Sequence, residues 1–285
     1  MIEVLAPGPY ATVQDLGRPG YAHLGVPRSG AADSAALRLA NRLVGNAEGA
    51  AGIELTFGGA RLRFLEGAWV ALTGAPCPLE AWAAHGMDAP FWLPPGAELR
   101  IGAPSRGLRT YLGVRGGIAV ETVLGSRATD SLSGLGPAPL RRGTTLPIGP
   151  VTGLDPIAVD VAPPRAAPSP ALRVLRGPRD DWFTHESLAA LCAHPYAVTQ
   201  DSNRVGVRLR GRALERAREG ELPSEGMVEG AIQVPPSGQP IVFLADHPPT
   251  GGYPVIGVVA SADLPSVAQL RPGDEVRFTW TTPRG

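Results

Sequence analysis

Short apolar runs separated by turn residues recur along the whole chain. Examples are the segments 69–72, 108–114 and 256–259, which are rich in valine, leucine and other β-forming residues. Between such runs stand 37 glycines and 31 prolines, which interrupt regular structure and favour tight turns. Short strands at close spacing between turns are typical of barrels and sandwiches. The chain of 285 residues is long enough for one large domain or two smaller ones, and it is predicted to be mostly β.

Helical patterns are few and short. The segment 32–44 is predicted to be a helix that Asp33 caps and that ends before Gly45. The segments 181–192 and 263–269 are two further helix candidates.

A proline-rich stretch at 161–170 has the composition of an extended linker. It follows a first β-barrel unit predicted at 1–105 and a middle β segment at 106–160 that packs with the barrels. A second β-barrel unit is predicted at 171–285.

The two sides of this linker share a sequence pattern. A Gln-Asp pair, an arginine and two glycines recur 186 positions apart (200 − 14): Gln14, Asp15, Arg18, Gly20 and Gly25 match Gln200, Asp201, Arg204, Gly206 and Gly211. Further along, Gln233 matches Glu54, and 270–278 matches 93–101. Matches in the same order favour two related β units, although strings this short also match by chance.

The charge balance argues against several classes of partner. Basic and acidic residues each number 26, so the formal net charge is +0, whereas binding to nucleic acid or an anionic membrane needs a basic surface. No apolar run reaches the roughly 18 residues that span a bilayer, and the first residues lack a signal-peptide pattern. The protein is therefore expected to be cytoplasmic, with no nucleic-acid or membrane partner.

All 26 basic residues are arginine. A chain without lysine cannot carry a P-loop lysine, a pyridoxal-phosphate Schiff base or an attached biotin of its own. Cys77 and Cys192 are the two cysteines, and the five histidines form no ligand pair, so no metal site is expected. Both cysteines are predicted to be small core residues.

The segment 229–257 contains a dense polar pattern. A predicted buried strand at 241–245 is framed by two loops rich in glycine and proline. Several side chains in these loops can form hydrogen bonds: Gln233, Ser237, Gln239, Asp246, His247, Thr250 and Tyr253. Closing a barrel does not need such loops, whereas a binding site does, so the segment is predicted to carry function.

A second candidate region runs from 14 to 33. Arg18 and Arg28 could grip a carboxylate or phosphate in two-pronged fashion. Ser29 precedes the predicted helix start, where free N–H groups favour an anion. A local ion pair between Asp15 and Arg18 is the alternative interpretation of this loop.

Two shorter patterns complete the candidates. The segment 124–130 places hydroxyls and an arginine after a glycine, which suits anion or amide recognition but equally a surface turn. The segments 201–204 and 224–226 lie in the second half of the chain. Nearby, Glu225 or Glu229 is either a general base or a solvated carboxylate.

Together these segments resemble the biotin-dependent carboxyltransferase-like family, and the resemblance covers essentially the whole chain. The matching stretches are 14–20, 25–33, 39–46, 111–117, 124–129, 202–206, 224–226, 230–235 and 250–254. Family members usually carry Gln-Thr-Thr-Gly-Gly-Tyr-Pro-Lys in the last region, from which Pro248, Pro249 and Val255 depart here. The resemblance implies tandem cyclophilin-like β-barrel units with a few short helices.

The resemblance also implies a set of site residues. The catalytic set is Asp246, Arg204 and Gln233. The substrate-binding set is Gln14, Asp15, Arg18, Ser29, Arg127, Thr129, Ser224, Glu225, Thr250 and Tyr253. In these roles the arginines would hold a carboxylate or phosphate. Gln233 and Thr250 would orient a ring amide, and Asp246 would position a nucleophile or cation.

Three functions follow from the resemblance. The first is the C subunit of an ATP-dependent 5-oxoprolinase, which converts 5-oxoproline, ATP and water to L-glutamate, ADP and phosphate. It would act with a subunit-B or KipI-like partner and a subunit-A (LamB/YcsF-like) protein, and ATP with magnesium would be shared with the partner. The second is a biotin-dependent carboxyltransferase acting on urea or a similar amide, with biotin on a separate carrier. The third is a KipA-type regulatory protein that binds a KipI-like kinase inhibitor.

Overall fold

A computed structural model describes residues 1–83, 86–163, 169–220 and 222–282. Its described residues form a mostly β fold that includes a closed seven-stranded barrel, so the predicted fold class is confirmed. The chain divides into two compact units. The first unit comprises 1–18, 29–130 and 134–163, and the second comprises 19–28, 131–133 and the described residues of 169–282.

The predicted linker falls partly outside the described residues, since these omit 164–168. The predicted domain boundaries at 105 and 160 stay predictions. Strand pairing runs across position 105, because the strand Arg109–Val114 pairs with Gly52–Thr56 and with Ala68–Gly74.

The strands of the first unit form two five-stranded antiparallel sheets. Their bounds are β1 Ile2–Ala6, β2 Tyr10–Gln14, β3 Gly52–Thr56, β4 Ala60–Phe64, β5 Ala68–Gly74, β6 Leu79–Glu80, β7 Pro90–Leu93, β8 Glu98–Ile101, β9 Arg109–Val114 and β10 Thr145–Leu146. The sheet orders are β10-β1-β4-β8-β6 and β2-β3-β9-β5-β7. One apolar core draws on both sheets, with Val4 and Leu62 from the first and Ile53 and Leu72 from the second.

Helix α1, Ser34–Leu43, confirms the first predicted helix. Buried residues recur at helical spacing, including Ala36, Leu37 and Ala40, so one side of the helix is buried. The Asp33 carboxylate accepts a hydrogen bond from the Ala36 amide at 2.9 Å, which confirms the predicted cap.

The strands of the second unit form the barrel and a small ribbon. Their bounds are β11 Ala171–Arg176, β12 Tyr196–Val198, β13 Gly206–Arg210, β14 Glu225–Gly226, β15 Ala231–Gln233, β16 Ile241–Phe243, β17 Thr250–Gly251, β18 Val255–Val259 and β19 Glu275–Trp280. The barrel closes in the order β11-β18-β15-β16-β13-β12-β19, and β14 pairs with β17. Helices α2, His185–Ala193, and α3, Leu264–Ala268, correspond to the second and third predicted helices.

The repeated sequence pattern coincides with repeated strand positions. Strands β2 and β12 begin at Tyr10 and Tyr196, which are 186 apart (196 − 10). Strands β8 and β19 begin at Glu98 and Glu275, which are 177 apart (275 − 98). Each copy of the Gln-Asp-x-x-Arg motif therefore lies at the end of the corresponding strand or just beyond it.

The pairing of β13 with β16 sets the position of the main candidate site. These strands are antiparallel with Gly206 opposite Phe243, so the chain enters β13 and leaves β16 at one end of the barrel. Arg204 lies just before β13 and Asp246 just after β16, and the Asp246 amide donates to the Arg204 carbonyl at 3.1 Å. The barrel register thus brings together two side chains 42 positions apart.

Candidate functional site

Arg204 and Asp246 form a buried ion pair in the second unit, to which the exposed Ser131 bonds, and the three residues are here called the Arg204 centre. Arg204 Nε and Nη2 donate to the two Asp246 oxygens at 2.9 and 3.0 Å, a two-pronged ion pair. Only 3% of the Arg204 side chain and 0% of the Asp246 side chain are exposed. The Ser131 amide and hydroxyl donate to Asp246 Oδ2 at 3.0 and 2.6 Å.

The bonding of Asp246 limits its chemistry. Both carboxylate oxygens accept hydrogen bonds from charged or neutral donors, and all of these donors favour the ionised form. A carboxylate held in this way fixes Arg204 and the 131–133 segment more readily than it exchanges a proton. The geometry therefore makes Asp246 an electrostatic anchor.

Glu229 lies on the loop that leads into β15 at this end of the barrel. The next residue, Gly230, donates its amide to the Phe243 carbonyl at 2.8 Å, which holds the loop beside the end of β16. Burial raises the pKa of Glu229, Arg28 and Arg204 act in the opposite direction, and Asp246 adds to the rise. Glu229 therefore shares an electrostatic environment with the Arg204 centre.

Gln233, Glu225, Thr250 and Tyr253 form a second cluster of predicted residues, here called the Gln233 group. Gln233 Nε2 donates to the Tyr253 carbonyl at 3.1 Å. In the β14–β17 ribbon, Glu225 pairs with Gly251 and Gly226 with Thr250. Ser224 precedes this ribbon and is exposed.

Two arginines complete the Gln233 group, and no sequence motif had pointed to them. Arg179 Nε donates to Glu225 at 2.8 Å and holds the pKa of that carboxyl below its usual range. Arg216 lies over the Tyr253 ring at 5.8 Å and donates from Nη2 to the Val234 carbonyl at 2.8 Å. Its Nε is buried without a hydrogen-bond partner among the described residues.

The predicted catalytic set divides between these two clusters. Gln233 opposes Ile241, the first residue of β16, whereas Asp246 lies beyond the last residue of that strand. The hydrogen bonds of Gln233 go to Tyr253 and to the Met227 sulfur, not to Arg204 or Asp246. The structure thus joins Arg204 with Asp246 and places Gln233 elsewhere on the barrel wall.

The other polar loop residues of this region have local partners. Gln239 exchanges two hydrogen bonds with the backbone of Gly211, at 2.9 and 3.2 Å, which closes a turn. The His247 ring lies 6.1 Å from the Phe243 ring, and its Nδ1 is 2.9 Å from the Pro248 carbonyl oxygen.

In the first unit, the predicted residues Gln14, Asp15, Arg18, Ser29, Arg127 and Thr129 gather around the backbone of 126–130, here called the Arg18 centre. The Asp15 carboxylate accepts hydrogen bonds from the Gly17 amide at 2.7 Å, the Ser126 hydroxyl at 2.7 Å and the Arg127 amide at 2.6 Å. These donors explain how a carboxylate that is only 8% exposed is stabilised. Asp15 therefore fixes one loop to another.

Arg18 is enclosed by backbone carbonyls. Its Nη2 donates to Ala128 at 2.5 Å and its Nε to Val123 at 3.4 Å, while Asp130 is 3.9 Å from Nη1. The predicted local ion pair with Asp15 is not the observed contact, because the partner carboxylate is Asp130.

Three further side chains of the Arg18 centre bind backbone carbonyls, while Thr129 Oγ1 is buried without a hydrogen-bond partner among the described residues. Gln14 Nε2 and Ser29 Oγ both donate to the Thr129 carbonyl, at 2.9 and 3.1 Å. The Arg127 guanidinium donates to the Val120 carbonyl at 2.7 Å. Ser29 has a φ of 54°, a left-handed conformation uncommon outside glycine.

A buried network surrounds Glu54, which the sequence motifs did not mark as a site. The Tyr111 hydroxyl donates to Glu54 Oε2 at 2.7 Å, and the Ala32 amide donates to the same oxygen at 3.0 Å. Arg109 Nε lies 3.5 Å from Glu54 Oε1. Burial raises the pKa of Tyr111 well above its usual range, and the nearby Glu54 charge adds to this. A glutamate between Ile53 and Leu55 in an apolar strand was the available signal.

Within the described residues we looked for clusters of metal ligands, for long apolar helices and for activated thiols. These residues contain no group of three or more His, Cys, Asp or Glu side chains arranged to hold a metal ion. No described helix is long and apolar enough to cross a bilayer. Burial raises the pKa of the Cys77 thiol to about 11, and Cys192 is half-buried. A thiol with a pKa near 11 stays protonated and unreactive at neutral pH.

Residues 24–280 match the carboxyltransferase domain, subdomain A and B, and the chain belongs to this family.

Three comparisons show what the chain is similar to. The 5-oxoprolinase C subunit of Escherichia coli K12 is 38% identical over 284 residues, which cover 98% of this chain and 90% of that protein. The urea amidolyase of Lachancea kluyveri is 36% identical over 308 residues, which cover 97% of this chain but 17% of that protein. The crystal structure of the Kluyveromyces lactis urea carboxylase matches with a TM-score of 0.89 at 32% identity, covering 99% of this chain and 27% of that one.

Proposed function

We propose that this chain is the C subunit of an ATP-dependent 5-oxoprolinase, which opens the lactam ring of 5-oxoproline to L-glutamate. The observation that carries the proposal is the end-to-end similarity to a 5-oxoprolinase C subunit, where 98% of this chain meets 90% of the relative. The match to the urea amidolyase covers only 17% of that protein, so it is not an end-to-end similarity. Because this relative is named as a subunit, we expect the chain to work with partner chains. The proposed partners are a subunit-B or KipI-like protein and a subunit-A (LamB/YcsF-like) protein.

The Gln233 group suits recognition of a lactam that carries a carboxylate. The Gln233 amide and the Thr250 hydroxyl would orient the ring amide by donating and accepting hydrogen bonds. Arg216 would hold the carboxylate, because a guanidinium binds carboxylates in two-pronged fashion and its Nε has no hydrogen-bond partner among the described residues. Tyr253, which is 45% exposed, would cover one face of the ring.

The Arg204 centre would contribute a fixed electrostatic environment. Arg204 and Asp246 neutralise each other, and Asp246 also holds Ser131, so these dipoles need no rearrangement during a reaction. The predicted binding roles of Gln14, Asp15, Arg18, Ser29, Arg127 and Thr129 stay proposals. In the structure the side chains of Gln14, Asp15, Arg18 and Ser29 bond to the backbone of 126–130. The Arg127 guanidinium donates to the Val120 carbonyl, and Thr129 Oγ1 is buried without a hydrogen-bond partner among the described residues.

The described residues of the two arginine centres do not by themselves form a binding site for a nucleoside triphosphate. Arg204 is buried and paired with Asp246, and Arg18 is buried with its Nη2 bonded to the Ala128 carbonyl, while Arg18 Nη1 has no hydrogen-bond partner among the described residues. Neither guanidinium is exposed at the surface, where a phosphate chain could reach it. The chain also has no lysine. We therefore place the ATP and magnesium of the proposed reaction on the partner, and this chain would orient the lactam.

Reconstitution with the partner proteins tests the proposal. Full-length chain, B-like partner and A-like partner would be incubated with ¹³C-labelled 5-oxoproline and ATP, and labelled glutamate would be followed by NMR. ATP-dependent glutamate formation that requires this chain supports the proposal, and its absence with all partners present contradicts it. Carboxylation of urea with a separate biotin carrier would establish the second function instead. Tight binding of a KipI-like protein without turnover would favour the regulatory one.

A variant of Arg216 in the same assay tests the proposed carboxylate-binding role of this residue. Arg216→Met keeps much of the side-chain volume but removes the charge, so the KM for 5-oxoproline should rise about 10- to 100-fold with little change in kcat. Arg277→Met, at an exposed position of β19, is the matched control and should leave both values unchanged. An unchanged KM in the Arg216 variant would remove this residue from the proposed binding group.

A further inference from the structure

A cleft of about 300 Å³ lies beside the β12–β13 hairpin of the second unit. Its lining includes Ala197, Thr199, Gln200, Asp201, Arg210 and Gly273. Among the described residues it shares none with the Arg204 centre or the Gln233 group, so the proposed function leaves it unassigned. Its volume is at the small end of the range for ligand pockets, roughly 300–1,000 Å³, and therefore suits a small molecule.

The cleft contains one cation and one anion that are not engaged elsewhere. The Arg210 guanidinium and the Asp201 carboxylate are exposed, and neither has a hydrogen bond or ion pair within the described chain. Thr199 adds a hydroxyl whose oxygen is buried without a hydrogen-bond partner among the same residues. Separate charges of both signs in one small cleft favour a ligand that carries both signs itself.

The backbone around this cleft is held on both sides. The Thr199 amide donates to the Arg208 carbonyl at 2.9 Å, and the Arg208 amide donates to Ser202 Oγ at 3.0 Å. On the side of β19, the Gly273 amide donates to the Val198 carbonyl at 2.9 Å. The charged side chains therefore stand on a fixed backbone, which lowers the ordering cost of binding a ligand.

The matched positions of the first unit show which groups are particular to this cleft. Arg210 and Thr199 match Leu24 and Val13, each 186 positions earlier (210 − 24 and 199 − 13). The first copy thus has apolar side chains where the cleft has a guanidinium and a hydroxyl. The aspartate of the first copy is buried and accepts three hydrogen bonds. The polar groups of the cleft are therefore not a requirement of the shared strand pattern.

We propose that this cleft binds a free α-amino acid. Arg210 binds the carboxylate, Asp201 binds the ammonium group, and the Thr199 hydroxyl bonds to a remaining polar atom. In the proposed reaction the ligand is the product, L-glutamate, and this identity rests on the proposed function. The substrate 5-oxoproline has a carboxylate but only an uncharged ring amide, so it offers no partner to Asp201. The cleft therefore distinguishes product from substrate.

Titration of the full chain, without partners or ATP, tests the site. The ¹⁵N-labelled chain would be titrated with L-glutamate, with glutarate, which lacks only the amino group, and with 5-oxoproline. We expect saturable shifts of the amide signals of 197–201 and Gly273 with L-glutamate. The other two ligands should bind at least about tenfold more weakly, because a charge-assisted hydrogen bond is missing. Equal affinity for glutarate, or no saturable change with L-glutamate, would overturn the proposal.

Two exposed side chains can be varied without disturbing the core. Asp201→Asn should weaken L-glutamate binding about tenfold but not glutarate binding, because only the ammonium group loses its partner. Arg210→Met should weaken the binding of both ligands. Arg277→Met, an exposed position of β19 outside the cleft lining, is the matched control and should leave both affinities unchanged. A preference for L-glutamate over glutarate that persists in Asp201→Asn, at an unchanged Tm, would remove this carboxylate from the site.

The result can be separated from the fate of the proposed function. If the cleft binds L-glutamate but the reconstituted complex makes none from 5-oxoproline, the oxoprolinase function fails while the amino-acid site stands. If the complex makes glutamate but the cleft signals do not respond to it, the amino-acid site fails alone.

Discussion

Two arginines occupy the same place in the repeated motif, and both are buried, but their surroundings differ in kind. Arg18 donates to the carbonyls of Val123 and Ala128, and the nearest carboxylate is 3.9 Å away. Arg204 instead makes a two-pronged ion pair with Asp246. The first centre is therefore a loop clamp built largely on backbone groups, and the second is an ionic cluster.

The aspartates of the two motif copies, Asp15 and Asp201, also differ in their surroundings. Asp15 is buried and accepts three hydrogen bonds, whereas its counterpart Asp201 is exposed beside a surface cleft of about 300 Å³. The carboxylate that serves Arg204 comes from outside the motif, after β16. At the matched motif positions the arginine is thus buried in both units, whereas the group that neutralises it differs.

The largest expected effect comes from removing the charge of Arg204. Arg204→Met leaves the Asp246 charge buried without its main partner, which should lower the free energy of unfolding by about 3–5 kcal/mol. The double variant Arg204→Met/Asp246→Leu should recover most of that loss, because no unpaired charge remains. Urea denaturation of the three proteins, followed by hydrogen exchange of β13 and β16, measures both effects. Equal stability of the single and double variants would show that the pair is not electrostatically coupled.

Asp15→Asn tests the loop clamp of the first unit. The amide nitrogen would face a donor where a carboxylate oxygen accepted one, so unfolding should become easier by about 1–3 kcal/mol. Urea denaturation followed by hydrogen exchange of β2 and β3 reports the change. A loss as large as that of Arg204→Met would mean that the two centres are both governed by charge.

Gly25 and Gly211 occupy matched positions of the two motif copies, and alanine substitutions there test how the two units differ. Gly25 has a φ of 75° with nothing within 4 Å of an added Cβ, whereas a Cβ on Gly211 would lie 2.5 Å from the Tyr196 ring. Gly25→Ala should therefore cost about 1 kcal/mol for the left-handed backbone, and Gly211→Ala about 1–3 kcal/mol for overpacking. Thermal denaturation ranks them, and the reverse order would contradict this assignment of causes.

The smallest expected effect is the pH dependence contributed by Glu229. Its pKa is raised in the folded chain, so the native state binds the proton more tightly than the unfolded state. This contribution to stability is fully present below the pKa of an unfolded glutamate and is lost as pH rises through the folded pKa. Glu229→Gln should thus raise Tm by on the order of a degree or two above neutral pH and by nothing near about pH 4. A pH-independent difference would contradict the shift.

Features determined by local sequence could be predicted. The Asp33 cap and the apolar spacing of α1 lie within a single segment, and the short strands follow from apolar runs between glycines and prolines. The contact between Gln233 and Tyr253 likewise joins two residues of one polar segment.

Features determined by register and burial could not be predicted. Ser131 bonds to Asp246 across 115 positions, and Arg18 bonds to Ala128 across 110, and no local pattern specifies either contact. The family resemblance places Gln233 in one catalytic set with Arg204, whereas the pairing of β15 with β16 separates the two side chains. The raised pKa of Glu229 depends on burial, which a polar loop sequence does not reveal.

The second unit is discontinuous, since 19–28 and 131–133 belong to it. During synthesis on the ribosome, Ser131 emerges long before Asp246, and the carboxylate acquires its hydroxyl donor only when distant parts of the chain meet. Such non-local contacts slow folding, so the barrel should mature late. A gene divided at the proline-rich stretch would also yield a C-terminal fragment that lacks the serine holding Asp246. The two halves, although they share a sequence pattern, are therefore not interchangeable modules for recombination.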